Sequence, residues 1–171
     1  MPYVNIEQRK YLDRQAEDFS SYITLNDLSV LYCFLSDLVE KLFDRKPSYK
    51  AANQLLGVLE AISEEFIRRR VIPLGYNRPF LSGSNAEYII RGDTKQYLSF
   101  NVGDVSAHFS TDEPGNLNYY VSKNIWKMFD RDPSQQAADD LVLALEMVKK
   151  HFYRDRVGPY ENRAIARNGD L

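Results

Sequence analysis

The chain repeats itself. Phe43-Asp44-Arg45 and Pro47-Ser48 recur as Phe129-Asp130-Arg131 and Pro133-Ser134, an offset of 86 residues. At that one offset, without a gap, Ala51, Ala52, Leu55, Leu59 and Glu60 meet Ala137, Ala138, Leu141, Leu145 and Glu146. Phe66, Arg68, Arg70, Val71 and Pro73 then meet Phe152, Arg154, Arg156, Val157 and Pro159. From Phe43 to Pro73, 15 of 31 positions are identical, where about two would coincide from residue frequencies alone. Weaker matches upstream (Tyr11-Leu12 with Tyr97-Leu98, Leu31 with Leu117, Ser36 with Ser122) extend the duplication over the whole chain. Two copies of one unit offer the same apolar face twice, so they are expected to pack about an approximate two-fold axis, as a fused symmetric dimer does.

Each unit reads as mainly helical. Ser48 is a good N-cap, and Ala52, Leu55, Leu56, Leu59, Ile62, Phe66 and Ile67 follow at helical spacing, with Pro73 beyond the end. The second copy repeats this with Ser134, Ala138, Leu141, Val142, Leu145, Val148, Phe152 and Tyr153, and a stop at Gly158-Pro159. An earlier helix is capped near Asn26 or Asp27 and turns Leu28, Leu31, Leu35, Leu38, Val39 and Leu42 inward; its counterpart starts at about Asn116 and runs to Phe129. The short link between the two helices favours an antiparallel hairpin. Residues 6–22 read as one helix with Tyr11, Leu12, Phe19 and Tyr22 buried. For the corresponding stretch two readings stay open. Homology to the first copy gives extended chain and then helix, whereas Tyr88-Ile89-Ile90 and Tyr97-Leu98-Ser99-Phe100 about Gly92-Asp93 suit a small β-hairpin near 87–102. The division is therefore a helical repeat over 1–73, a Gly/Ser/Asn/Pro-rich linker over 74–86 and a second repeat over 87–171, forming one globule.

Composition narrows the function classes. Hydrophobic residues at 44% and charged residues at 27% are ordinary for a folded domain. A net charge of −2 argues against strong general nucleic-acid binding, which needs a basic surface. One cysteine and two histidines cannot build an internal disulfide or a standard zinc site, so no metal and no cofactor is expected. With no apolar run of membrane-spanning length and no signal-peptide pattern, a cytoplasmic protein is expected.

The second copy carries further motifs: Gly115-Asn116-Leu117-Asn118-Tyr119, Phe152-Tyr153-Arg154 and Gly158-Pro159-Tyr160-Glu161, closing on Asn168-Gly169-Asp170, while the chain opens Met1-Pro2-Tyr3-Val4. In these it resembles a family of small phage and bacterial helical proteins of unknown function, here in tandem. The closing motif has decayed in the first copy to Tyr76-Asn77-Arg78 and Gly83. The resemblance brings no activity with it.

No catalytic set is recognisable, and three candidate sites follow from residue chemistry. Arg68 and Arg70, with Arg154 and Arg156, fall in the last turn of a long helix in each copy. Paired about the axis they would line a groove for an anion such as a phosphate or nucleotide, against the plainer reading of solvated helix ends. Tyr119, Tyr120, Tyr153 and Tyr160 beside Trp126, with Glu161 and Asn168, suit an interaction surface, against the plainer reading of core-edge aromatics. Glu60 and Glu64 with Arg68 have a spacing that magnesium-dependent nucleotide enzymes use, against ordinary ion pairing on a wet face. The leading expectation is a non-catalytic accessory protein of phage origin that binds a host or phage protein. A nucleotide or cyclic-nucleotide binding protein comes second, and a small magnesium-dependent nucleotide-processing enzyme third. The repeats have also diverged: Glu40 aligns with Trp126, Arg69 with Asp155, and Glu64 and Glu65 with Lys150 and His151.

Overall fold

The computed structural model describes residues 4–80 and 102–169, and among these the chain is helical, without a strand. The hairpin considered for 87–102 lies outside the described residues, save for Val102, which opens a short helix. In chain order the helices are α1 (Ile6–Gln15), α2 (Leu28–Arg45), α3 (Tyr49–Phe66), α4 (Val102–Ser106), α5 (Pro114–Arg131), α6 (Gln135–Phe152) and α7 (Gly158–Asn168). The bounds of α5 and α6 are those of α2 and α3 displaced by the repeat offset of 86 residues.

Local chemistry sets these bounds. Ser48 and Ser134 are extended N-caps whose hydroxyls accept the amides of Ala51 and Ala137 at 3.0 and 2.9 Å. Pro114 sits in the first turn of α5, where its missing N–H has no partner to lose, so this helix begins two residues before the expected Asn116. The helix expected over 6–22 breaks in two. Ala16 turns extended after α1, and Asp18 caps a separate 3-10 turn at Phe19–Ser21. Leu12 and Phe19 are buried as expected, but Tyr11 and Tyr22, both 53% exposed, point to solvent.

Both long helices run on past Phe66 and Phe152 as a single π turn, Ile67–Val71 and Tyr153–Val157. A proline ring clashes with the carbonyl four residues back, and widening the turn before Pro73 and Pro159 relieves it. In the second copy this overturns the expected stop. Gly158 bonds back to the carbonyl of Tyr153, and Pro159 falls in the first turn of α7, where a proline is tolerated. In the first copy the helical run ends instead on Gly75 at φ 86°, the left-handed cap that glycine adopts without strain.

The copies pack through each other. Contacts are densest between α2 and α6 and between α3 and α5, and α2 and α3 touch each other much less than the expected hairpin implies. The start of each copy follows the same rule: α1 and the turn at Phe19 pack on α5, and α4 packs on α2. One continuous apolar core results, drawn from both copies. Phe43 meets Phe152 edge-to-face at 5.5 Å, and its counterpart Phe129 meets Phe66 at 5.1 Å. Arg45 reaches over to Ser106, donating to its carbonyl at 2.9 Å and its hydroxyl at 2.7 Å, and to the carbonyl of Phe109 at 3.1 Å. Arg131 does the same to the carbonyl and hydroxyl of Ser20. Asn124, fully buried, accepts the amide of Ser20 and donates to the carbonyl of Tyr120.

A core shared in this way unfolds as one unit. Phe43→Ala and Phe129→Ala are each expected to cost about 3–5 kcal/mol and to move the same single transition in denaturant unfolding; two transitions, of which only one moves, would contradict the shared core.

Candidate functional site

A cleft of about 370 Å³ opens where α1, the end of α3 and α5 meet, a size within the usual range for small-ligand sites. Its wall on α5 is Gly115, Asn118, Tyr119, Ser122 and Trp126; Val4 closes one side, and Glu65, Arg69 and Arg70 come from the end of α3 and its π turn. The charged lining is Arg9, Arg69, Arg70, Lys123 and Lys127 against Glu65 and Asp130, a local surplus of three positive charges on a chain of net charge −2. Several of these cations are held in place. Lys123 bonds Asp13 and Lys127 bonds Asp18, so α1 and the turn after it brace the rim, while Arg69 pairs with Glu65 at 3.0 Å. Burial would raise the Asp18 carboxyl, but the bonds from Lys127 and Ser20 outweigh it and hold the group below its usual value. Arg9 and Lys123 lie 5.5 and 5.6 Å from the ring centre of Tyr119, whose hydroxyl donates to Asp13.

Among the lining residues Arg70 lies on Trp126. The guanidinium carbon lies 4.7 Å from the indole ring centre, and the nearest carboxylate, Asp130, is 3.6 Å away. Arg70 Nε and Trp126 Nε1 are buried donors with no acceptor among the described residues. A buried donor left so costs about 1–3 kcal/mol.

The corner related to this by the repeat is closed. There Arg156 donates to Glu40 at 3.1 Å and to both oxygens of Asp44 at 3.1 and 3.3 Å. Beside it Tyr32, half-buried on α2, bonds Nδ1 of the buried His151, the two rings meeting edge-on at 5.4 Å. Burial pushes the Tyr32 hydroxyl up, so it keeps its proton and donates; burial and then the Arg154 guanidinium push His151 down, so it accepts.

The residues singled out from sequence are spread over these two corners and beyond. Arg70 and Arg156 occupy equivalent places, each against the opposite copy, while Arg68 pairs with Glu65 and Arg154 with Asp155 on the exposed surface. The four arginines do not line one groove, because each π turn delivers its last arginine to a different helix. Tyr119 and Trp126 share the cleft. Tyr120 is core: fully buried, it donates to the carbonyl of Glu17, and burial raises its hydroxyl's pKa. Tyr153, Tyr160 and Glu161 gather elsewhere, Tyr160 edge-on to Phe43 and Tyr49 and Tyr153 donating to Glu161; Asn168 ends α7 in the open. Glu60 pairs with Lys149 and Glu64 with Arg78. Burial would lower the Lys149 ammonium, yet its bonds to Glu60 and Glu146 keep its pKa above normal. No group of three or more metal-ligating side chains occurs among the described residues, nor does any helix there have the length and apolarity to cross a membrane. Sequence reasoning missed Arg9, Lys123 and Lys127. The signal for the last corner was present in the divergent pair Glu40 and Trp126, and Asp37 opposite Lys123 adds to it.

A family model described as "Domain of unknown function (DUF6899)" matches residues 1–79 and again 88–171. The chain belongs to that family and carries its domain twice. No curated protein and no solved structure matches it.

The closed corner is expected to make stability depend on pH. His151 in the folded protein titrates below its unfolded value of about 6.5. Between the two values the unfolded chain binds the extra proton, so stability is full above about pH 6.5 and is lost as pH falls below it. Denaturation midpoints measured from pH 8 to 5 should decline below about 6.5, and His151→Asn should remove that decline; an unchanged slope in the variant would assign it to other groups.

Proposed function

We propose that this two-copy member of the DUF6899 family acts by binding, and that its ligand is a small anion on a planar apolar body. Nucleotides and cyclic nucleotides are the class that suits these walls. One observation carries the reading: a cleft of about 370 Å³ in which Arg70 lies on the face of Trp126 is lined by five cationic side chains against two carboxylates. A phosphate or carboxylate would find charge-assisted partners among these cations, and Tyr119 and Val4 supply apolar contact for the rest of the molecule. The magnesium-dependent reading has less support, since Glu60 and Glu64 each already bind a cation.

Trp126 is the single tryptophan of the chain, so its fluorescence reports on the cleft directly. Titration with AMP, GTP, cyclic AMP and a cyclic dinucleotide is expected to give a saturable change with at least one of them. At about a hundred times Kd that ligand should stabilise the fold by about 2.7 kcal/mol and raise the melting temperature by roughly 5–10 °C. Flat titrations and unmoved melting temperatures at millimolar concentrations of all four would reject the reading.

A protein partner is the second reading, favoured by the surface around α7. That helix has no fully buried residue, and Tyr49, Tyr153 and Ile165 there are 46, 47 and 43% exposed. A partner recovered by pull-down should be lost with Tyr153→Ala together with Ile165→Ser and kept with Trp126→Ala; the reverse pattern would move the contact to the cleft.

A further inference from the structure

The repeat supplies an internal comparison for the cleft. At the offset of 86, Asn118 and Glu65, which line it, correspond to Tyr32 and His151 of the closed corner. There the Tyr32 ring reaches from α2 to α6, meets the His151 ring edge-on at 5.4 Å and hydrogen-bonds its Nδ1. At the cleft the side chain on α5 is an amide, shorter than tyrosine by the whole ring. Asn118, 6% exposed, turns to its own helix and accepts the Ser122 hydroxyl at 3.1 Å. Tyr119 stands where the first copy has Cys33, but it does not supply the missing ring, because its hydroxyl is turned to Asp13 on α1 at 3.2 Å.

The closed corner also shows what chemistry such a place takes. A six-membered ring lies there, and its far end offers a hydrogen to an acceptor on the facing helix. At the cleft the facing acceptor is the Glu65 carboxylate, whose side chain keeps 15% of its surface accessible. Arg68 and Arg69 each engage one of its oxygens, at 3.3 and 3.0 Å. A carboxylate has about four lone-pair sites, so it can accept further donors beside these two.

We propose that the ring of the ligand lies between Asn118 and Glu65, as the Tyr32 ring lies against His151, and that this ring is guanine. The proposal rests on the cleft being a nucleotide site and adds the identity of the base. Among the common nucleobases guanine presents two adjacent N–H donors on its pairing edge, N1–H and the 2-amino group, which match the two oxygens of a carboxylate. Its phosphate falls to the cations Arg9, Lys123 and Lys127. One ligand binds per chain, because Tyr32 itself fills the related place in the other corner.

Affinity is measured by calorimetry with GMP, with inosine monophosphate, which lacks the 2-amino group, and with AMP. The unmodified protein is expected to bind one GMP per chain. Inosine monophosphate should bind about tenfold more weakly, and AMP more weakly still, since each loses a donor to a charged acceptor. Glu65→Gln should bring GMP down to the affinity of AMP. Asn118→Tyr puts the first copy's ring into the cleft and should abolish binding of all three while the chain still melts cooperatively; should that variant unfold, the three nucleotides and Glu65→Gln decide the matter by themselves. AMP binding as tightly as GMP, a GMP preference that survives Glu65→Gln, or a folded Asn118→Tyr variant that still binds would overturn the proposal while leaving the cleft as the binding site. No saturable binding of any of the three by the unmodified protein would overturn the reading of the cleft, and this proposal with it.

Discussion

Phe43 and Phe129 meet Phe152 and Phe66 across the repeat boundary, and the arginines two residues on close over the short turn that begins the other copy. The Asp between them faces the other copy too: Asp44 holds Arg156, and Asp130 stands beside Arg70. All three residues of the Phe-Asp-Arg motif therefore act on the opposite unit. This gives a physical reason for the tripeptide standing in both copies. Ring packing supplies apolar burial, the aspartate positions an arginine, and the motif's own arginine donates to backbone carbonyls of the other copy. A unit by itself would expose its apolar stripe and leave these groups unmet. The core at α2–α6 and α3–α5, and the cleft beside α5, both exist because the copies interlock.

Duplication within one chain also frees the two corners to differ. In a symmetric pair of separate chains a change at one corner is a change at both. Here Glu40 closes one corner with an ion pair and Trp126 leaves the other open over a stacked arginine. The two π turns that carry Arg70 and Arg156 span equivalent residues, so the difference arises from side chains, Trp126 against Glu40 on the facing helix and Arg69 against Asp155 in the turn, and not from the backbone. The closed corner contributes its clasp and the His151–Tyr32 pair, and the open one holds the unsatisfied donors.

Much of this architecture was legible in the sequence because it rests on periodic signals. The repeat offset, the serine caps and the apolar stripes of α3 and α6 need only spacing to be read. What failed needed three dimensions. Spacing alone places Pro159 at a helix end; a π turn shifts the bonding register and lets α7 follow directly. A row of tyrosines suggests a surface, but Tyr120 lies on the inner face of α5 and Tyr119 on the rim of the cleft, one residue apart. The four arginines matched in sequence yet part in space, since each copy sends its own to a different helix. The pair that matters most, Arg70 with Trp126, joins residues from different copies. Only the mismatch at Glu40 and Trp126 pointed to it in advance.

Interlocking is tested most directly by separating the copies. The halves, residues 1–80 and 81–171, would be made as two chains and followed by circular dichroism and sedimentation velocity, alone and mixed. Neither half should show a cooperative thermal transition while monomeric, and mixing should restore helical signal and a single transition at the mass of the pair. A half that melts cooperatively as a monomer would contradict a core built jointly by both copies.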